Sequence, residues 1–171
     1  LAHSLEAGGL RLRKGRRLAP ADLEALAAAG IGEVVAARLD PGDLAEDAAA
    51  EAVAEVLAAP GLTVSAPFAG RANLFAEAAG VLRVDRAAVD RLNALDPAVT
   101  LATLPDWSRV APRQMAATVK IIPYGVAGAA VAAARAALAG GALRLVPFRP
   151  GRASLILTLS LIHISEPTRP Y

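Results

Sequence analysis

The 171-residue chain contains no cysteine, which excludes a disulfide framework, a thiolate zinc site, an iron–sulfur cluster and a cysteine nucleophile. Histidine is scarce, with only His3 and His163, so a catalytic triad or a histidine-based metal site has almost nothing to be built from. Aromatic residues make up just 4% of the sequence. The hydrophobic fraction of 55% is therefore inflated by alanine, and reports helix propensity more than a thick core of large side chains. Long apolar runs are missing as well. The most apolar stretch, residues 124–143, is made mainly of Ala and Gly and is interrupted by Arg135, so no membrane span is expected. No basic-then-apolar leader is visible, but neither is a native start, since the sequence opens on Leu1; the lack of cysteine permits a reducing compartment, and the cytoplasm is the expected one.

Charge of one sign is nearly balanced. Eighteen Lys+Arg oppose sixteen Asp+Glu, a net charge of +2, too small to mark a nucleic-acid binder on charge alone. Lys14 and Lys120 are the only lysines. With so much alanine, the excess of arginine reads as the codon bias of a GC-rich genome before it reads as selection for guanidinium chemistry. Residues 159–171 resemble the in-frame translation of a transposase-type sequencing adapter and are set aside from fold reasoning. That leaves 17 basic and 15 acidic residues and His3 as the one remaining histidine.

What is present predicts an α+β chain of short elements. Residues 10–12 read as a strand followed by a turn at Gly15. Pro20 opens a helix with Asp22 and Glu24 in its first turn, and Gly30 stands where a left-handed C-terminal cap belongs. A strand is expected over 34–38. Asp43 and Glu46 read as an acidic capping box for a helix with Ala49, Val53, Val56 and Leu57 inward, stopped by Pro60-Gly61. Residues 62–64 and 81–84 read as strands around a loop over 67–73. Asp85 caps a helix that carries Val89, Leu92 and Leu95 and ends at Asp96-Pro97. Residues 98–104 and 115–122 alternate as an antiparallel pair joined by a ten-residue loop with Pro105, Trp107 and Pro112. An Ala-rich helix over 126–139 follows, then a strand over 143–146. The apolar run 153–158 lacks polar alternation, as for a strand buried on both faces of a parallel sheet, and predicts a further α/β domain cut short.

The chemistry-bearing residues each admit two readings. Arg11, Arg13, Lys14, Arg16 and Arg17 can attract phosphate, or form a solvated turn whose charge guards a sheet edge. Gly70, Arg71 and Asn73, flanked by Phe68 and Phe75, combine a flexible backbone, a forked cation and an amide suited to an anionic or heteroaromatic ligand; alternatively the rings anchor a structural loop. Lys120 shares its strand face with Thr118 and Ile122, and either touches phosphate or snorkels to water. Gly125 and Gly128 lie between a strand and a helix, where backbone amides can cradle phosphate. They lack Walker or dinucleotide spacing, so loop freedom and close packing are the alternative. The paired acids Glu46/Asp47 and Asp40/Asp43 are accounted for by helix starts.

Several segments resemble a known family. Lys14-Gly15-Arg16-Arg17-Leu18, Asp22-Leu23, Ala29-Gly30-Ile31 and Pro41-Gly42-Asp43 are similar to the amino-terminal region of bacterial molybdopterin-binding proteins related to molybdopterin molybdenumtransferase. Ala66-Pro67-Phe68-Ala69-Gly70-Arg71-Ala72-Asn73-Leu74-Phe75 resembles the same group, as does Met115-Ala116-Ala117-Thr118-Val119-Lys120-Ile121-Ile122-Pro123-Tyr124. These last two are the most specific parts of a resemblance that spans residues 1–158. It implies late molybdenum cofactor assembly by a parent protein that binds molybdopterin and inserts molybdate at its dithiolene, usually with Mg²⁺, chiefly through a following α/β domain; the present residues are then its accessory N-terminal part, expected to be inactive alone. On that implication the chain divides into an N-terminal module (1–60), an α+β module (61–150), the first strand of a missing domain (151–158) and the adapter-like tail (159–171). Gly70, Arg71, Asn73 and Lys120 are the expected cofactor-binding residues, and no protein metal ligand or catalytic residue is assigned. Two alternatives come from other classes. One is a pterin-delivery or homodimerising module that uses the exposed small-residue face of the helix at 126–139. The other is nucleic-acid binding through Arg11–Arg17, which the lack of interleaved aromatics disfavours.

Overall fold

The computed structural model describes residues 1–7 and 9–156. In chain order its elements begin with β1 (Leu5–Ala7), β2 (Leu10–Leu12), α1 (Pro20–Ala28), β3 (Asp43–Ala45), α2 (Glu46–Leu57), β4 (Leu62–Val64) and β5 (Arg71–Ala76). They continue with β6 (Gly80–Val84), α3 (Arg86–Leu95), β7 (Val99–Thr103), β8 (Ser108–Val110), β9 (Met115–Ile121), β10 (Gly125–Ala127), α4 (Gly128–Leu138) and β11 (Leu143–Pro147). All strand pairs are antiparallel, so the architecture is α+β.

The centre is a four-stranded sheet in the order β4-β5-β9-β7. Its strands alternate as a half-buried sheet should: Ala72, Leu74, Val119, Ile121, Val99 and Leu101 are buried, and their neighbours face outward. Helix α2 covers the buried face. Glu46 and Asp47 place negative charge at its positive end, and Ala49, Ala50, Val53, Ala54 and Leu57, spaced along one stripe, are fully or nearly fully buried. A smaller sheet, β11-β6-β8, sends Leu82, Val84, Leu143, Leu145 and Val110 into the same hydrophobic cluster. That cluster runs through both sides of residue 60, because α2 packs beneath β5 and β9.

Local signals explain the helix boundaries that match expectation. Gly30, at φ +73°, follows the α1 C-terminus, where the Ile31 N–H donates to Leu26 O. Asp85 accepts from the Ala88 N–H at 3.1 Å, the N-cap expected for α3. Asn93 of α3 bonds the edge strand β7 on both sides of Leu101, donating to its carbonyl at 2.9 Å and accepting its N–H at 2.8 Å. The amide thus takes the place of a missing neighbour strand.

Other expectations are corrected. Residues 34–38 form no strand: Val35 is exposed, and the backbone contact there is the Ala2 N–H to Val35 O, too little for a ladder. Asp43 and Glu46 form no capping box. Asp43 is drawn into β3 by pairing with β10, its carboxylate accepts from the Asp40 N–H, and α2 starts at Ala45 without a side-chain cap. The connection over 105–114 contains β8, which pairs with β6. The Ala-rich helix starts at Gly128, since residues 125–127 are β10. Of the run expected as a doubly buried strand, residues 153–156 are irregular, with Leu155 82% exposed; no described element flanks them, and Leu157 and Thr158 lie outside the described residues, as does the adapter-like tail.

No helix among the described residues is long and apolar enough to cross a membrane. The core makes a direct prediction. Leu74→Ala leaves a cavity beneath α2 and should cost about 2–5 kcal/mol in denaturant unfolding, whereas Leu155→Ala should change stability by no more than about 0.5 kcal/mol.

Candidate functional site

The two segments that carry the most specific resemblance become adjacent strands. β5 pairs with β9 so that Arg71 stands opposite Lys120 and Asn73 opposite Thr118, and β7 brings Thr100 beside Lys120. Because side chains alternate, these residues share the face turned away from α2. Arg71 and Lys120 are exposed, and Asn73 and Thr118 are half-buried between the strands. Thr118 Oγ1 donates to Asn73 Oδ1 at 2.8 Å, which orients the Asn73 amide through its oxygen. Neither Arg71 nor Lys120 makes an ion pair among the described residues. Two like charges directly opposite one another in a sheet oppose its pairing. An anion on this face would relieve that repulsion.

Gly70 is placed differently from its expected partners. The expected loop closes as a two-residue hairpin turn: Phe68 and Arg71 exchange both backbone hydrogen bonds, with Ala69 at φ +49° and Gly70 at φ +70°, the pair of positive φ values of a type I′ turn. Arg71 and Asn73 accordingly lie in a strand, not in a loop. Gly70 is buried; its N–H donates to Asp47 Oδ1 at 2.7 Å, and its carbonyl accepts from the Ile121 N–H at 2.7 Å. A Cβ there would lie 2.9 Å from Ile121 O and 3.0 Å from Glu46 Oε2. The glycine locks the hairpin onto the start of α2, and its N–H is already engaged. Glu46 beside it has its pKa raised, first by burial and then by Asp47, against a lowering influence from Lys14.

The remaining sequence candidates are partly engaged within the fold, and Arg13, Lys14 and Arg17 of the basic cluster are exposed and make no ion pair among the described residues. In the basic cluster, Arg11 pairs with Glu6 at 2.6 Å and Arg16 with Asp22 at 2.7 Å. The Arg16 bond and the Ala19 N–H hold the Asp22 carboxyl below the usual carboxylate range. Gly125 and Gly128 serve close packing: added Cβ atoms would meet the Leu39 side chain at 2.8 Å and Gly42 O at 2.6 Å. One face of α4 is used inside the fold, with Val131, Ala134 and Leu138 buried and α4 packed on α2 and α3, while Ala129, Ala132, Ala133 and Ala136 on its other face are exposed. No group of three or more His, Asp or Glu side chains converges among the described residues. The centre of the sheet face offers cations, an amide and hydroxyls, which do not fit a magnesium ion, and no step is derived through one.

One cluster escaped the sequence reading. Asp106 Oδ1 accepts from Arg83 Nε, the Val84 N–H and the Trp107 N–H at 2.9, 2.9 and 3.0 Å. The Val84 N–H and then the Arg83 bond hold its pKa down, and Arg83 stacks over the Trp107 ring at 3.7 Å. Nothing local marks this arrangement, because Arg83 and Trp107 meet only through the pairing of β6 with β8. Comparison of the whole chain with protein-family models, curated proteins and solved structures returned no match.

Gly70→Ala should destabilise by about 1–3 kcal/mol through its positive φ and the Ile121 carbonyl, while Ala69→Gly should stabilise by up to about 1 kcal/mol in the same unfolding assay. Asp106 has a folded pKa below its unfolded value near 3.9, so its contribution is complete above that value and lost as pH falls through the folded one. Asp106→Asn should therefore lower the melting temperature at pH 7, and the gap to the parent chain should close as the pH is taken below about 4.

Proposed function

We propose that the chain belongs to molybdenum cofactor assembly and that the Arg71–Lys120 face takes the phosphate of molybdopterin. One observation carries this reading: two unpaired cations are held in register on one open sheet face, on the two strands whose sequences most resemble molybdopterin-binding proteins. A phosphate spanning both would accept charge-assisted hydrogen bonds from a forked guanidinium and an ammonium. Asn73, oriented by Thr118, adds an amide at the rim for a pterin edge or a further phosphate oxygen. Molybdate is the co-substrate on this reading, and a metal received by the ligand's own dithiolene sulfurs needs no cysteine or histidine from the protein. We assign binding to this face and no catalytic step. The cytoplasm is the compartment that goes with the reading.

The test is titration of the 171-residue chain with molybdopterin and with the same pterin lacking its phosphate. Micromolar binding of the first is expected. It should weaken about tenfold or more in Arg71→Ala/Lys120→Ala, as loss of roughly 1.5–3 kcal/mol of charged hydrogen bonding requires, and the dephosphorylated ligand should be indifferent to that substitution. No binding at micromolar concentration, or equal binding by the double variant, removes the proposal.

A further inference from the structure

The outward face of β11-β6-β8 has a pattern that the molybdopterin reading does not use. Strand register puts Arg83 opposite Arg144, and Val81 between Val146 and Arg109. Trp107 lies over Arg83 at one corner, and Arg109 lies 5.9 Å from the ring centroid of Phe148 at the other. This face therefore interleaves two exposed rings with three guanidinium groups. Trp107 is 67% and Phe148 51% exposed.

Two features point to a ligand with both flat rings and negative charge. Trp107 sits at φ +68°, a conformation that costs a non-glycine residue on the order of 1–2 kcal/mol. It is held there by its N–H bonds to Asp106 Oδ1 and Leu82 O. Those bonds hold the backbone, and the Arg83 guanidinium packs against the ring at 3.7 Å. Cations are in excess as well: Asp106 neutralises Arg83, but Arg109 and Arg144 make no ion pair among the described residues, and the sequence contains no carboxylate between Asp106 and Glu166.

We propose that this face binds single-stranded nucleic acid, with bases stacking on Trp107 and Phe148 and phosphates contacting Arg109 and Arg144. The ring–cation pairs occupy opposite ends of β6, beside Arg83 and beside Ala79, whose carbonyl accepts from the Phe148 N–H. Four residues of strand separate them by about 13 Å, which two or three linked nucleotides span and one mononucleotide does not. Every base offers a π-face, so stacking here is indifferent to sequence. An acidic peptide would match the arginines but leave the held indole unused. The inference does not rest on the Arg71–Lys120 reading, which concerns the other sheet.

Trp107 is the sole tryptophan, so its emission reports the site directly. Titration with a twelve-residue oligothymidylate should give saturable quenching, with affinity falling as salt rises at a log–log slope of about −0.7 per phosphate contact. By anisotropy of the labelled oligomer, Trp107→Ala should weaken binding about tenfold or more. Arg144→Ala, an exposed position, should weaken it and flatten the slope by about 0.7. Trp107→Phe keeps a ring and should retain most of the affinity, and melting curves identify any variant that has lost its fold. Absence of quenching overturns the proposal. So does equal affinity for polyglutamate with Trp107→Ala unaffected, which would mark an acidic protein as the occupant. Thymidine monophosphate or duplex DNA binding as tightly as the oligomer would overturn it too. Arg71→Ala/Lys120→Ala should leave this binding unchanged, so the two proposals fail separately.

Discussion

The register between β5 and β9 is the constraint on which the rest of the molecule depends. It joins segments more than forty residues apart in the sequence, and its alternation decides which side chains lie under α2. A slip of β5 by one residue against β9 would turn Arg71 into the core and expose Ala72 and Leu74. α2 enforces the observed choice because its inner stripe is largely alanine. Ala49, Ala50 and Ala54 let the helix backbone come close to the sheet, and no room remains for a long cation. The hairpin at Ala69-Gly70 then ties the strand end to the first turn of α2 through Asp47.

Both candidate surfaces lie where the fold departs from what local stability favours. Like charges oppose one another across β5 and β9, and across β6 and β11 where Arg83 meets Arg144. A tryptophan is held at positive φ in the open while much of the core is alanine and valine. Such departures concentrate at functional positions, since selection for folding alone removes them. Elsewhere no buried side-chain nitrogen or oxygen lacks a partner among the described residues, and Arg11 and Arg16 near the amino terminus find carboxylates on β1 and α1.

Legibility in the sequence followed the range of the deciding interaction. Asp85, Gly30 and Pro60-Gly61 act within one helical turn, and the helix limits they imply are observed. The antiparallel pairing of β7 with β9 was readable from two strongly alternating runs. Asp43 misled because its segment is claimed by β10, some eighty residues later. The segment over 34–38 misled because β-branched residues make a strand only where a neighbour accepts the ladder. Strand β8 stayed hidden inside a proline-bounded loop, since three residues carry too little pattern to announce themselves.

The sequence by itself settled the α+β class, the absence of any thiol, and three polar residues worth following, Arg71, Asn73 and Lys120. Composition and short-range periodicity are enough for those. Only the tertiary structure decided that the three share one open face, that Gly70 serves the hairpin and α2, and that Trp107 lies over an arginine. Those outcomes are set by strand register, and register is chosen by burying one complete face of a sheet against a helix. No window of local sequence contains that choice.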